Sequence, residues 1–153
     1  MGALTTIIEL FPLAGIWFGA WGVLAVYIGN MIAVLPVNPL HIAPLLALSA
    51  IAQSAIPAWA FKFFKADPRL KIARDVVVFV LFGVFLNSLA GTLIGPTVWY
   101  IFGAVSWRML ITVSMPSWFI RGLIINTIIS IPLLKLLSGT VIEARAYCEG
   151  WFS

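Results

Sequence analysis

Five carboxylates, one histidine and one cysteine are the chain's whole stock of carboxylate, imidazole and thiol side chains. They do not gather. Asp67 and Asp75 fall in a basic stretch, Glu9 lies near the start, and Glu143 and Glu149 lie near the end. A proton relay or a hard-cation site inside a membrane needs carboxylates close together within the apolar spans, and no span holds such a pair. His41 alone cannot form a histidine cluster, and Cys148 alone excludes an intrachain disulfide and a cysteine-based metal site. Ser49, Ser54, Ser88 and Ser130 have no histidine beside an orienting acid, and there is no glycine loop of the kind that cradles phosphate. The residues therefore predict no catalysis, no metal and no cofactor.

Binding chemistry is better represented. Gln53, Asn87 and Asn126 are amides inside apolar stretches, where polar side chains face a bundle interior and seek partners. Arg121 is a cation in a similar setting, which marks a functional site or a charge that snorkels to the interface. Trp17 and Trp21 lie one turn apart, with Tyr27 and Asn30 further along the same stretch. Candidate ligand contacts are therefore Trp17, Trp21, Asn30, Asn87, Asn126 and Arg121. Trp99, Tyr100, Trp107 and Trp118 fall near predicted span ends and fit an interfacial aromatic belt.

The elements that must position these residues are long apolar helices. Hydrophobic residues make up 63% of the 153 and charged ones 9%, far from the roughly 25% charged of a soluble domain. Leu13–Leu35, Leu40–Phe61 and Val76–Ile94 contain no charged residue, and Thr97–Val113 and Trp118–Leu137 are two further apolar segments. About 20 apolar residues cross a bilayer core as a helix, and unbroken runs without period-two alternation exclude a barrel. The expected fold is all-α, a polytopic transmembrane helix bundle of about five segments within one domain, residues 1–153. The fourth segment carries Arg108 and has a re-entrant path as its alternative. Pro12 with Gly15 predicts a break after a half-helix ending near Phe11, and Gly95-Pro96 and Met115-Pro116-Ser117 predict span ends. The first stretch has no basic residue ahead of it and exceeds a signal-peptide core in length, so it reads as a permanent helix. Gly15, Gly19, Gly22 and Gly29 repeat at spacings that let helix backbones approach closely.

The net charge of +4 comes largely from Lys62–Asp75, which holds five of the nine lysines and arginines. A short basic loop between apolar spans faces anionic headgroups on the cytoplasmic side, so nucleic acid is not expected as a partner and the lipid bilayer is. The loop 62–75 anchors the orientation in the cytoplasmic membrane. Asp67-Pro68 reads as a helix start. Counting five spans outward places the connection with Arg108 and Arg121 inside and the tail with Glu143, Arg145 and Glu149 outside.

Two resemblances follow from these residues. Ala66-Asp67-Pro68-Arg69-Leu70-Lys71, Arg74 through Phe79, Trp118-Phe119-Ile120-Arg121-Gly122 and Ile131-Pro132-Leu133-Leu134 resemble the membrane-associated sensor domains that precede bacterial signalling modules. Pro12-Leu13-Ala14-Gly15-Ile16 is similar to that family's first Pro-x-x-Gly-Ile element. The chain departs from it in having fewer than the usual eight spans, and it has no acid after Ile120-Arg121-Gly122. Phe18-Gly19-Ala20-Trp21-Gly22 with Gly29-Asn30 also looks like the glycine-rich second helix of the substrate-binding S components of energy-coupling-factor transporters. The first resemblance implies a non-catalytic module that senses or binds a small molecule, read out by a signalling protein. The second implies a transporter subunit with a partner membrane subunit.

Overall fold

The computed structural model describes residues 10–152, which form helices and turns. Four helices are long and apolar enough to cross a membrane: α1 (Phe11–Val34), α2 (Ala43–Phe63), α3 (Ala73–Ile101) and α4 (Trp107–Glu143). The expected half-helix before Phe11 falls almost entirely outside the described residues. The chain packs α1 along α2, α2 against α3, and α3 against α4, leaving α4 the most peripheral.

Four helices replace the five expected segments, because two prolines do not stop the chain. α3 passes through Gly95-Pro96 to Ile101, with Pro96 buried and Gly95 against the ring of Trp118. α4 passes through Met115-Pro116-Ser117. Just ahead of Pro116, Leu110–Ser114 widens into a π-helical stretch, and the Ser117 hydroxyl donates to the carbonyls of Val113 and Ser114. In lipid a freed carbonyl has no water to turn to, so hydroxyls and wider turns satisfy it and the helix continues. Thr97–Ile101 therefore closes α3, Phe102–Ser106 turns the chain, and Arg108 starts α4. There is no connection holding Arg108 and Arg121.

The break in α1 is also displaced. Pro12 sits in the first turn, where its missing N–H would have had no partner anyway. The helix breaks at Gly19, which takes φ 57° and ψ −133°, a conformation only glycine adopts without strain. The chain folds over there, so that Gly22 lies against the backbone of Ala14. Gly15 lies against the backbone of Ser54, where a Cβ would stand 2.1 Å from its carbonyl oxygen. Gly29 makes no such approach and faces open space.

The basic loop is packed, not loose. Ala66 and Leu70 are buried and join Leu13, Phe61, Phe79 and Leu134 in the apolar core at that end of the bundle. Asp67 starts no helix. It accepts the Arg69 amide at 2.9 Å and the Arg69 guanidinium at 2.8 Å, in a turn where Lys65 and Leu70 both take positive φ. Ser138, near the end of α4, donates to the Pro68 carbonyl at 3.0 Å, and Lys62 donates to the Cys148 carbonyl at 2.7 Å. The segment after Glu143 therefore lies at the same end as the loop 62–75. It does not lie opposite, as a five-span count required.

Two outcomes follow from this geometry. In a Cys148→Ser background, Lys71→Cys and Ala104→Cys, both at exposed positions, are expected to label with impermeant thiol reagents from opposite membrane faces. Same-side labelling would remove the four-pass arrangement. Gly15→Ala should destabilise by roughly 1–3 kcal/mol through overpacking against Ser54. Gly29→Ala should be neutral or stabilising, because alanine is the better helix former. Equal thermal shifts for the two variants would contradict the close α1–α2 approach.

Candidate functional site

The interior between α2, α3 and α4 carries a row of polar side chains at mid-span. α2 contributes Gln53, and α3 contributes Asn87, Ser88 and Thr92, all buried. Glycines make the room. A Cβ on Gly91 would stand 2.5 Å from the Gln53 amide nitrogen, and one on Gly122 of α4 would stand 2.7 Å from the Ser88 hydroxyl. α3 is π-helical over Phe79–Leu86, and Asn87 follows at once. A π-turn rotates the next residues relative to an unbroken α-helix, and such turns recur at functional sites.

Asn87 is the centre of this row. Its residue is 0% exposed, and neither its amide nitrogen nor its amide oxygen has a hydrogen-bond partner among the described residues. The Ser88 and Thr92 hydroxyls, one and five residues further along α3, are likewise without partners among the described residues. An unsatisfied buried polar group costs about 1–3 kcal/mol, and several adjacent ones are rare in a structural core. The arrangement offers donors and acceptors to a hydrogen-bonding guest.

Other predicted contacts are accounted for differently. Asn126 is buried, but its amide donates to the Gly122 carbonyl at 2.9 Å and accepts from Ser130 at 3.3 Å, so its own helix satisfies it. Trp17 is buried, and its indole N–H donates to Ser138 at 2.8 Å, extending the link to Pro68. Trp17 also lines a cavity of about 270 Å³ with Leu13, Phe18 and Leu133. Trp21 is 60% exposed and faces outward. Asn30 is buried with an unpartnered side-chain oxygen. The Arg121 guanidinium lies 5.2 Å from the centre of the Trp118 ring, and Trp118 packs on Trp99, whose indole donates to Asn38. Gly15, Gly19 and Gly22 make close backbone approaches, whereas Gly29 does not.

Three sets of residues lie outside the predicted contacts. Ser88 and Thr92 matter because they follow Asn87 on α3, and Gly91 and Gly122 matter because they admit polar neighbours. A glycine four residues from Asn87 and another four residues from Asn126 were the available signal. Asp75, read as part of the basic stretch, is 1% exposed at the start of α3, with Arg74 3.5 Å away. A second cavity, about 490 Å³, opens between α2 and α3 and is lined by Ala55, Ile56, Trp59, Phe82, Leu86 and Trp151. Its lining is entirely apolar and includes none of Gln53, Asn87, Ser88 and Thr92. No group of three or more metal-ligating side chains occurs among the described residues.

No family model, no curated protein and no solved structure matches the chain.

Electrostatics concentrate at the loop end. Hydrogen bonds from Arg69 hold the Asp67 carboxyl below its ordinary value, and burial pushes the Tyr147 phenol up. A carboxyl with a depressed folded pKa adds stability above its unfolded pKa and loses it as pH falls through the folded one. The thermal-stability gap between the wild type and Asp67→Asn should therefore hold steady above about pH 5 and close below about pH 4. A gap that widens on acidification would contradict the Asp67–Arg69 pairing.

Proposed function

We propose that the chain is a non-catalytic binding module of the cytoplasmic membrane that holds a small hydrogen-bonding molecule beside Asn87. One observation carries this reading: a fully buried amide whose donor and acceptor are both unmet, with two unmet hydroxyls further along the same helix. Hydroxyl and amide groups orient a polar guest in an otherwise apolar site, and lipid-side closure strengthens each contact. The resemblance of Ala66–Lys71 and Trp118–Gly122 to membrane-associated sensor domains supports a sensing role. In that role a partner signalling protein or membrane subunit reads the shift of α3 on binding. The basic loop 62–75 faces the cytoplasm, and the segment after Glu143 lies beside it.

The reading is tested at Asn87. Leucine fills a similar volume without polar atoms, so Asn87→Leu should stabilise the empty protein by roughly 1–3 kcal/mol, the penalty of the unmet amide. The same change should remove polar small molecules that copurify with the wild type in nanodiscs, as seen by mass spectrometry. A destabilised Asn87→Leu protein that keeps the same copurifying molecules would show that Asn87 is helix glue.

A further inference from the structure

The break in α1 leaves two main-chain groups that a continuous helix would pair within itself: the Ala20 amide and the Trp17 carbonyl. A separate part of the chain takes both. Ala20 N–H donates to the Trp151 carbonyl at 2.9 Å, and Cys148 N–H donates to the Trp17 carbonyl at 2.8 Å. Between them, Gly19 lies so close that a Cβ would stand 2.7 Å from the Trp151 oxygen. The segment after Glu143 thus threads back into the bundle and stands in for a missing helical turn. Tyr147 also packs against the apolar core. Lys62 holds the Cys148 carbonyl at 2.7 Å and lies 5.8 Å from the centre of the Tyr147 ring, and Trp151 forms one wall of the cavity between α2 and α3. Glu149 and Phe152 are exposed.

We infer that Tyr147–Phe152 is a detachable strap that closes the break at Gly19 and walls one side of the lateral cavity, and that its release uncovers the break and widens the cavity. A segment without helical main-chain bonds of its own, held by two main-chain bonds to α1, by Lys62 and by half-buried Tyr147 and Trp151, opens more readily than the helices under it. Release leaves one donor and one acceptor inside the bilayer, which water or the polar groups of a guest must then satisfy. The strap is therefore an internal competitor, present when nothing else occupies the break. This inference stands on the main-chain geometry at Gly19 and does not require Asn87 to bind anything.

The test uses the full chain in nanodiscs and two kinds of readout. Cys148 lies on the strap and reports its release through labelling by a membrane-permeant maleimide. Hydrogen exchange at the Ala20 and Cys148 amides reports the same event without a reagent. In the wild type these amides should exchange at least tenfold faster than those of Ala47 and Ala50, which are buried in the middle of α2. Trp151→Ala and Lys62→Met should each speed Cys148 labelling and Ala20 exchange at least tenfold, with the α2 amides unchanged. Wild-type exchange of Ala20 in step with Ala47 would make the segment an integral part of the bundle and overturn the proposal. So would unchanged labelling and exchange in both variants.

Discussion

A bilayer core offers no water to a main-chain N–H or C=O, and each irregularity of this structure is shaped by that constraint. A continuous helix meets the constraint by itself. Where this chain departs from one, a specific group fills the gap: the Ser117 hydroxyl below Pro116, wider π turns ahead of Pro116 and Pro132, and the Trp151 carbonyl at the Gly19 break. The last substitution is the most consequential, because the partner is more than a hundred residues away and fixes where the chain after Glu143 must lie. The side-by-side position of that segment and the basic loop follows from the even number of passes and is tied by Lys62 and Ser138.

The same constraint explains what could and could not be read from the sequence. Apolar runs of spanning length pointed directly to the all-helical class and to helices long and apolar enough to cross a membrane. The number of spans was misread by one, because proline was given the weight it has in water. There a broken ladder is solvated and the helix ends. In lipid the helix keeps going, since ending it would expose several main-chain groups instead of one. Pro96 and Pro116 both lie inside helices for this reason. The misread count then carried through to the far end, placing Arg145 on the wrong side of the bundle relative to the loop 62–75.

Site residues were legible as types but not as states. Asn87 and Asn126 are the same side chain at comparable depth, and nothing local in the sequence separates them. Asn126 opens a π-helical stretch, and its amide reaches back to the Gly122 carbonyl of its own helix. Asn87 closes such a stretch and is turned toward α2 and α4, where its neighbours are Gln53 against Gly91 and Ser88 against Gly122. Which amide is spent on its own helix is thus decided by where the π turns fall. Those depend on tertiary packing and carry no strong residue signature. Trp17 and Trp21 part for a related reason: beyond the break at Gly19, Trp21 is exposed while Trp17 remains inside.

These features bear on one another through α3. Its π-helical stretch forms a wall of the lateral cavity through Phe82 and Leu86 and ends at the unmet amide of Asn87. A π turn is a register that an α-helix can relax into, so a small rotation of α3 would move Asn87 and the cavity wall together. Buried polar groups left unmet disfavour the present arrangement, while the packing of Gly91 on Gln53 and Gly95 on Trp118 favours it. A guest that meets the amide removes the first term and leaves the second, shifting the balance without having to break any helix. That is the physical requirement for a ligand to change a conformational equilibrium: it must interact differently with the two states. The polar row supplies such a difference at the point where α3 is least regular.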